Sequence, residues 1–304
     1  MLTMTLPYYY SRLRPFREVF RAGIPVLCFH HIKAPSHGAR LKWMYVSPRI
    51  FARQMAELQY EGFLTSEPFG SHALFDTEGP VPAHLAQCSS QPGGFASSSE
   101  VTRSHTNPNR KVVLSFDDGF RDVFEHALPV LQHNRFCGIT FLVSDLLGKS
   151  NEWQLRMGDV KEPLMDAVQV REWLAAGQGI GSHTKTHPHL TQLSLADARE
   201  EITASKKSLE DRFSVPIDHF CYPYGDWNEA VGDLVIEAGY KTASTVHPGV
   251  NTPETNPFEL NRFTAQAGTW GFKALLQRLR ARLARVNPVR IPPPGRLTGQ
   301  PALR

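Results

Sequence analysis

No apolar run in these 304 residues is long enough to span a bilayer, which excludes an integral membrane helix on composition alone. Met1 to Arg21 carries Tyr8-Tyr9-Tyr10 and scattered arginines but no continuous apolar core of a secretory leader, so the expectation is a cytoplasmic chain. Cysteine is scarce. Cys28, Cys88, Cys137 and Cys221 lie far apart with no Cys-x-x-Cys, which argues against a disulfide framework and fits buried thiols in a reducing compartment. Charge of one sign is also lacking: 33 Lys and Arg against 29 Asp and Glu leave a net +4, too weak to argue for a nucleic-acid partner when no stacking motif or zinc-finger spacing accompanies it. Nor does a Gly-x-Gly-x-x-Gly follow the first strand, which disfavours a nucleotide fold.

What is present is alternation. Apolar, β-branched runs at Pro25–Ile32, Val112–Phe116, Ile139–Val143, Gln178–Ser182, His219–Tyr222 and Lys241–Val246 are separated by stretches with helical periodicity. Ser47-Pro48 reads as a helix start followed by Phe51, Met55 and Leu58 on one face, and Ser194 to Asp197 resembles a capping box. Such alternation predicts an α/β fold, and 41% apolar content over this length suffices for one large core. The predicted division is an extension over 1–22, a main domain over 23–270 and a carboxy-terminal segment over 271–304. Within the main domain, residues 66–110 are rich in Ser, Gly and Pro and read as a disordered insertion. In the last segment, leucines recur at helical spacing among arginines over 272–286 before a Pro-rich tail. That basic amphipathic helix would pack on the barrel or, as the rarer outcome, touch an anionic membrane surface.

Two strand ends carry chemistry. Val112 to Phe116 runs into Asp117-Asp118-Gly119, and Gln178 to Ser182 runs into His183-Thr184-Lys185-Thr186-His187. Alone, the first is a tight turn and the second a chance pair among 13 histidines. Together, at strand ends where α/β folds place their sites, they have the composition of a hydrolytic metal centre. Asp118, His183 and His187 would hold one divalent ion, with zinc the best match to two imidazoles and a carboxylate. Asp117, pointing another way from the same strand end, would take the proton from the attacking water.

The Ser115 to Gly119 stretch, the Ser182-His183-Thr184-x-x-His187 stretch and Tyr222-Pro223-Tyr224-Gly225 resemble the first three motifs of the polysaccharide deacetylases, the NodB-homology group of metal-dependent acetyl hydrolases. The likeness spans residues 24–264. It includes Pro25 to Ile32, similar to the opening strand of the branch containing the poly-N-acetylglucosamine deacetylases, where the general acid is an amino-terminal histidine. The resemblance implies a distorted, incompletely closed (β/α) barrel. It implies an acetylated carbohydrate substrate, Asp117 as base, His30 as acid, and an oxyanion contact near Pro223 and Tyr224. Without it, His30 reads as a core histidine; His31 competes for the acid role and His189 for a ligand role.

One departure stands out. Many members carry an arginine two residues before Pro-Tyr-Gly that orients the base, and Cys221 stands there instead. Arg262 is expected to supply the missing charge from another strand, with a plain surface arginine as the competing reading. No late Leu-x-x-His motif is recognisable, and His247-Pro248-Gly249 reads as a turn. N-deacetylation is therefore the leading expectation. The alternatives are hydrolysis of an O-acetyl ester or another amide, and a non-catalytic carbohydrate-binding or assembly protein on the same barrel.

Overall fold

The computed structural model describes residues 9–65 and 110–266. The expected basic helix and the bulk of the expected insertion lie outside the described residues.

The apolar runs form strands because they are covered on both faces. β1 (Ile24–Phe29) is buried throughout, and β3 (Lys111–Phe116) is buried at every position after its first. With β4 (Ile139–Leu142), β5 (Gly179–Ser182), β6 (His219–Cys221) and β7 (Thr242–Ser244) they make one sheet in the order β7-β6-β5-β4-β3-β1, parallel at every step. β2 (Leu64–Thr65) pairs with the start of β3, and β8 (Val250–Asn251) lies antiparallel on β1. Helices α2 (Pro48–Tyr60), α3 (Leu128–Asn134), α5 (Ala167–Ala175), α6 (Leu195–Phe213) and α7 (Glu229–Glu237) fill the crossovers that parallel neighbours require.

The sheet curls towards closure. Leu260 bridges Ser244 on one edge, while β9 (Phe263–Thr264) pairs with Leu27 and Cys28 on the other. A single short segment thus spans the gap, and the distorted, incompletely closed α/β barrel expected from sequence is the fold.

Period-two alternation sorts each strand into an inner and an outer face. Val26, Val113, Ile139, Phe141, Cys221 and Leu260 belong to a small inner cluster with Ile24. Leu27, Phe29, Leu114, Phe116, Leu142 and Phe220 face the helices in the main core. The small cluster plugs the barrel interior and makes an apolar floor.

Residues 10–22 do not behave as a separate extension. Tyr10 bridges Ala265, and Tyr10, Phe16, Phe20 and Phe263 pack ring against ring at 5.2–5.8 Å, with Phe20 in α1 (Arg17–Arg21). No break in packing marks residue 22. Two helix starts have local detail of their own. Ser47 sits at the start of α2 without a capping bond from its hydroxyl, so Pro48 and the Ser47 carbonyl, which accepts from Phe51 N–H, begin the helix. A π-turn at Val123–Ala127 precedes α3, where Pro129 has no N–H to continue an i→i−4 ladder. Ser194 does cap α6, accepting from Asp197 N–H.

Gly181 on β5 faces the Phe141 ring, and a Cβ there would lie 2.6 Å from ring carbons and 2.9 Å from the His219 carbonyl oxygen. Gly181→Ala must push β5 or Phe141 aside. We expect it to destabilise the chain by about 1–3 kcal/mol, read as a lowered urea midpoint.

Candidate active site

Parallel strands bring their carboxy-terminal ends to one rim, and alternation decides which side chains look inward there. On β1 the inner register Val26, Cys28 continues to His30; on β3, Val113, Ser115 continues to Asp117; on β5, Gly181 continues to His183. The competing acid His31 has the opposite parity. It is buried outside the barrel, with Nδ1 at 2.7 Å from Asp122 Oδ2 and its ring between Tyr45 and Phe120. Strict alternation would also turn Asp118 outward. Its φ of 73° reverses the chain and returns the carboxylate to the rim.

Of six non-glycine residues with positive φ among the described residues, Arg135 and Ser214 end helices, while Asp118, Thr184, His187 and Tyr224 line this site. The 183–187 segment is a folded loop, not a helical turn. Thr184 Oγ1 accepts from His187 N–H at 3.0 Å, and the Glu201 carboxylate of α6 accepts from the backbone N–H groups of Lys185 and Thr186, each at 2.9 Å.

Asp118 Oδ1 lies 3.4 Å from His183 Nε2 and 3.2 Å from His187 Nε2. All three residues are buried and their donor atoms lie within 4.8 Å of one another. Charge-assisted hydrogen bonds are shorter, about 2.7–2.9 Å, as His31 and Asp122 show at 2.7 Å. Donors at about 2.0–2.2 Å from a shared tetrahedral ion would stand about 3.3–3.6 Å apart. The spacing therefore fits a divalent ion better than a hydrogen-bonded trio. His183 Nδ1–H donates to the Cys221 carbonyl at 2.7 Å, which leaves Nε2 as the ligating atom. Burial lowers the pKa of His187 against the pull of Asp118, which favours the neutral imidazole a ligand must be.

Asp117 has a different environment. Arg262 Nη1 and Nη2 donate to its two oxygens at 2.7 and 2.8 Å, and Cys28 and Cys221 thiols approach Oδ2 at 3.4 and 3.6 Å. Arg262 is only 1% exposed, so the surface reading of this residue fails. Its Nε–H donates to the Thr245 carbonyl at 2.7 Å, and it sits over the Phe141 ring. Burial by itself would raise the Asp117 pKa, but the guanidinium and its hydrogen bonds hold it well below the usual carboxylate range. Asp117 is therefore ionised at neutral pH. Asp117 also forms two geometric clusters with Cys28 and His30, and with His183 and Cys221. The guanidinium beside Asp117 disfavours a cation there, and burial pushes both thiols up, so neither offers a thiolate.

His30 Nε2 stands 3.9 Å from Asp117 Oδ2, and burial lowers its pKa against the raising effect of Asp117 and Asp118. Pro223 and Tyr224 form a tight turn opposite, with Tyr224 in the left-handed region at φ 60°. The Tyr224 ring edge meets His187 at 4.6 Å and its face stacks on His189 at 3.9 Å; burial, then Asp118, push its hydroxyl up to about 12. His189, 3.7 Å from Asp226, supports Tyr224 and does not join the donor triad. Sequence reading missed the thiol shell, although strand parity alone places Cys28 inward. It also missed Trp153 of α4 (Glu152–Arg156), which stacks on His187 at 4.5 Å and lies in no motif.

Fold and site together define a curled α/β barrel with a candidate metal triad and an adjacent Asp117–His30 pair on its carboxy-terminal rim. Residues 104–243 match the polysaccharide deacetylase family model. It is 25% identical over 171 residues to a putative polysaccharide deacetylase, YxkH, of Bacillus subtilis, covering 56% of this chain and 57% of that one. It is 25% identical over 158 residues to a poly-beta-1,6-N-acetyl-D-glucosamine N-deacetylase of Staphylococcus aureus, covering 51% and 54%. The chain thus spans little more than half the length of these curated relatives. In fold it is similar to IcaB from Ammonifex degensii, with a TM-score of 0.60, 23% identity and coverage of 83% and 96%. The Streptococcus pyogenes deacetylase PplD in complex with acetate gives a TM-score of 0.59, 21% identity and coverage of 84% and 97%.

Arg262→Met should leave an uncompensated buried charge on Asp117 and cost about 3–5 kcal/mol in urea unfolding of the metal-free chain at pH 7. The folded pKa of Asp117 is depressed, so its contribution is full above the unfolded value of about 3.9 and is lost as pH falls from there. The deficit of Arg262→Met should accordingly shrink in acid, and Asp117→Asn should flatten the wild-type loss of stability below pH 4 or so.

Proposed function

We propose that this chain is a metal-dependent N-deacetylase acting on an N-acetylated sugar polymer or oligomer, with zinc as the ion. The observation that carries the reading is the pair of adjacent carboxylates with opposite surroundings: Asp118 spaced against two imidazole nitrogens, Asp117 clamped by a guanidinium. The substrate class is supported by the named activity of the Staphylococcus aureus relative.

A divalent ion held by Asp118, His183 and His187 would polarise the acetyl carbonyl and lower the pKa of water. Asp117, kept ionised and fixed in rotamer by Arg262, takes the proton from the attacking water. The backbone N–H at Tyr224 would hold the developing oxyanion, a contact worth about 2.7–4 kcal/mol in other acyl-transfer sites. His30, with Nε2 at 3.9 Å from Asp117, gives a proton to the departing amine.

Acetate release from N-acetylated glucosamine oligomers should be abolished by a chelator and restored by zinc. Asp117→Asn and His30→Ala should each lower kcat by about 10²–10⁴-fold, the former with metal content intact. A loss below about threefold in either variant contradicts its role. Faster release from O-acetyl esters than from N-acetyl sugars on a substrate panel would move the assignment to an esterase.

A further inference from the structure

The two imidazoles of the triad are held in different ways. His183 donates its outer nitrogen to the Cys221 carbonyl, the usual device by which a ligating histidine is oriented. His187 has no such partner: its Nδ1 is buried and no other described residue offers it an acceptor. What fixes its ring is aromatic. Trp153 lies parallel to it at 4.5 Å and 19°, while Tyr224 and His183 press on it edge to face at 4.6 and 4.7 Å with angles of 77° and 79°.

We propose that Trp153 is a positioning residue for His187, setting the plane of the imidazole so that Nε2 meets Asp118 and His183 around one ion; this rests on reading the triad as a metal centre. Edge contacts limit tilt, but only a parallel face resists rotation of the ring out of its plane. The indole also presents the negative face of its quadrupole to an imidazole made more positive by coordination, so the stack strengthens when the ligand is loaded. Trp153 is itself held. It is 6% exposed and follows Asn151, whose Nδ2 donates to Gln154 Oε1 and to the Val160 carbonyl and whose Oδ1 accepts from Glu162 N–H. The backbone of His187 lies at φ 67°, a region that few side chains tolerate, so the residue has a second reason to need external support.

The test separates a flat face from mere filling. Zinc affinity is measured by competition with a chromophoric chelator for wild type, Trp153→Phe, Trp153→Leu and Trp153→Ala, and the cobalt-substituted proteins are compared by their visible spectra. Trp153→Phe keeps an aromatic face and should stay near wild type in affinity and cobalt bands. Trp153→Leu keeps apolar volume but no face and should lose about 10–100-fold in affinity, the scale seen when the support of a ligating histidine is removed elsewhere, with altered cobalt bands. If Trp153→Ala fails to fold, the Phe and Leu variants still decide. Equal affinity and spectra for those two would overturn the inference while leaving the metal centre standing. A wild-type protein that takes up no metal would overturn the centre and the inference with it.

Discussion

The ion pair between Arg262 and Asp117 is the constraint on which the rest of the site depends. Both groups are buried, at 1% and 3% exposure, on a floor of apolar side chains, where an unpaired charge would be far too costly to keep. Bidentate geometry solves this, with Nε satisfied by the Thr245 carbonyl. The pair also has an architectural consequence. Arg262 lies between Leu260, bridged to β7, and β9, paired with β1, so the segment that closes the barrel is the one that delivers the guanidinium. The segment that closes the sheet is thereby also the one that keeps Asp117 ionised.

Most of this was legible in the chain because strand parity is simple. Asp117 and His183 continue inner registers that the apolar runs already define, and the same rule separates His30 from His31. The fold class followed from alternation, and Cys221 announced by its size that an expected arginine had to come from elsewhere. A thiol there leaves room for the Arg262 side chain, which donates to Cys221 Sγ at 3.1 Å on its way to Asp117. Strand order was not legible, so whether Arg262 reached Asp117 or faced solvent stayed open until the closing segment was seen. Trp153 left no signal, because it comes from a crossover with no strand end or metal-ligand spacing to mark it. The packing of Tyr10, Phe16 and Phe20 against Phe263 was invisible for a related reason: a sequence shows that residues are aromatic, not that two ends of a domain meet.

Backbone strain is concentrated where the chemistry is. Left-handed φ at a non-glycine residue costs on the order of 1–3 kcal/mol, and Asp118, Thr184, His187 and Tyr224 all carry it. Asp118, Thr184 and His187 are held by bonds from outside their own turn or next to it: Asp117 N–H donates to the Phe29 carbonyl, Ser144 and Asp145 N–H donate to the carbonyls of Thr184 and Lys185, and Glu201 grips the two residues between Thr184 and His187. At Asp118 the strain has an identifiable return. A regular strand would send Asp117 and Asp118 to opposite faces of the sheet, one into the barrel and one into the helical layer. The reversal at Asp118 brings both to the rim while keeping them in separate fields, one carboxylate facing a guanidinium at 2.7 Å and the other two imidazoles at 3.2–3.4 Å. Two identical side chains one peptide bond apart thus acquire different chemistry from a single backbone dihedral. A pair that both faced arginine would leave the imidazoles without a carboxylate, and a pair that both faced histidine would leave the buried guanidinium without a partner.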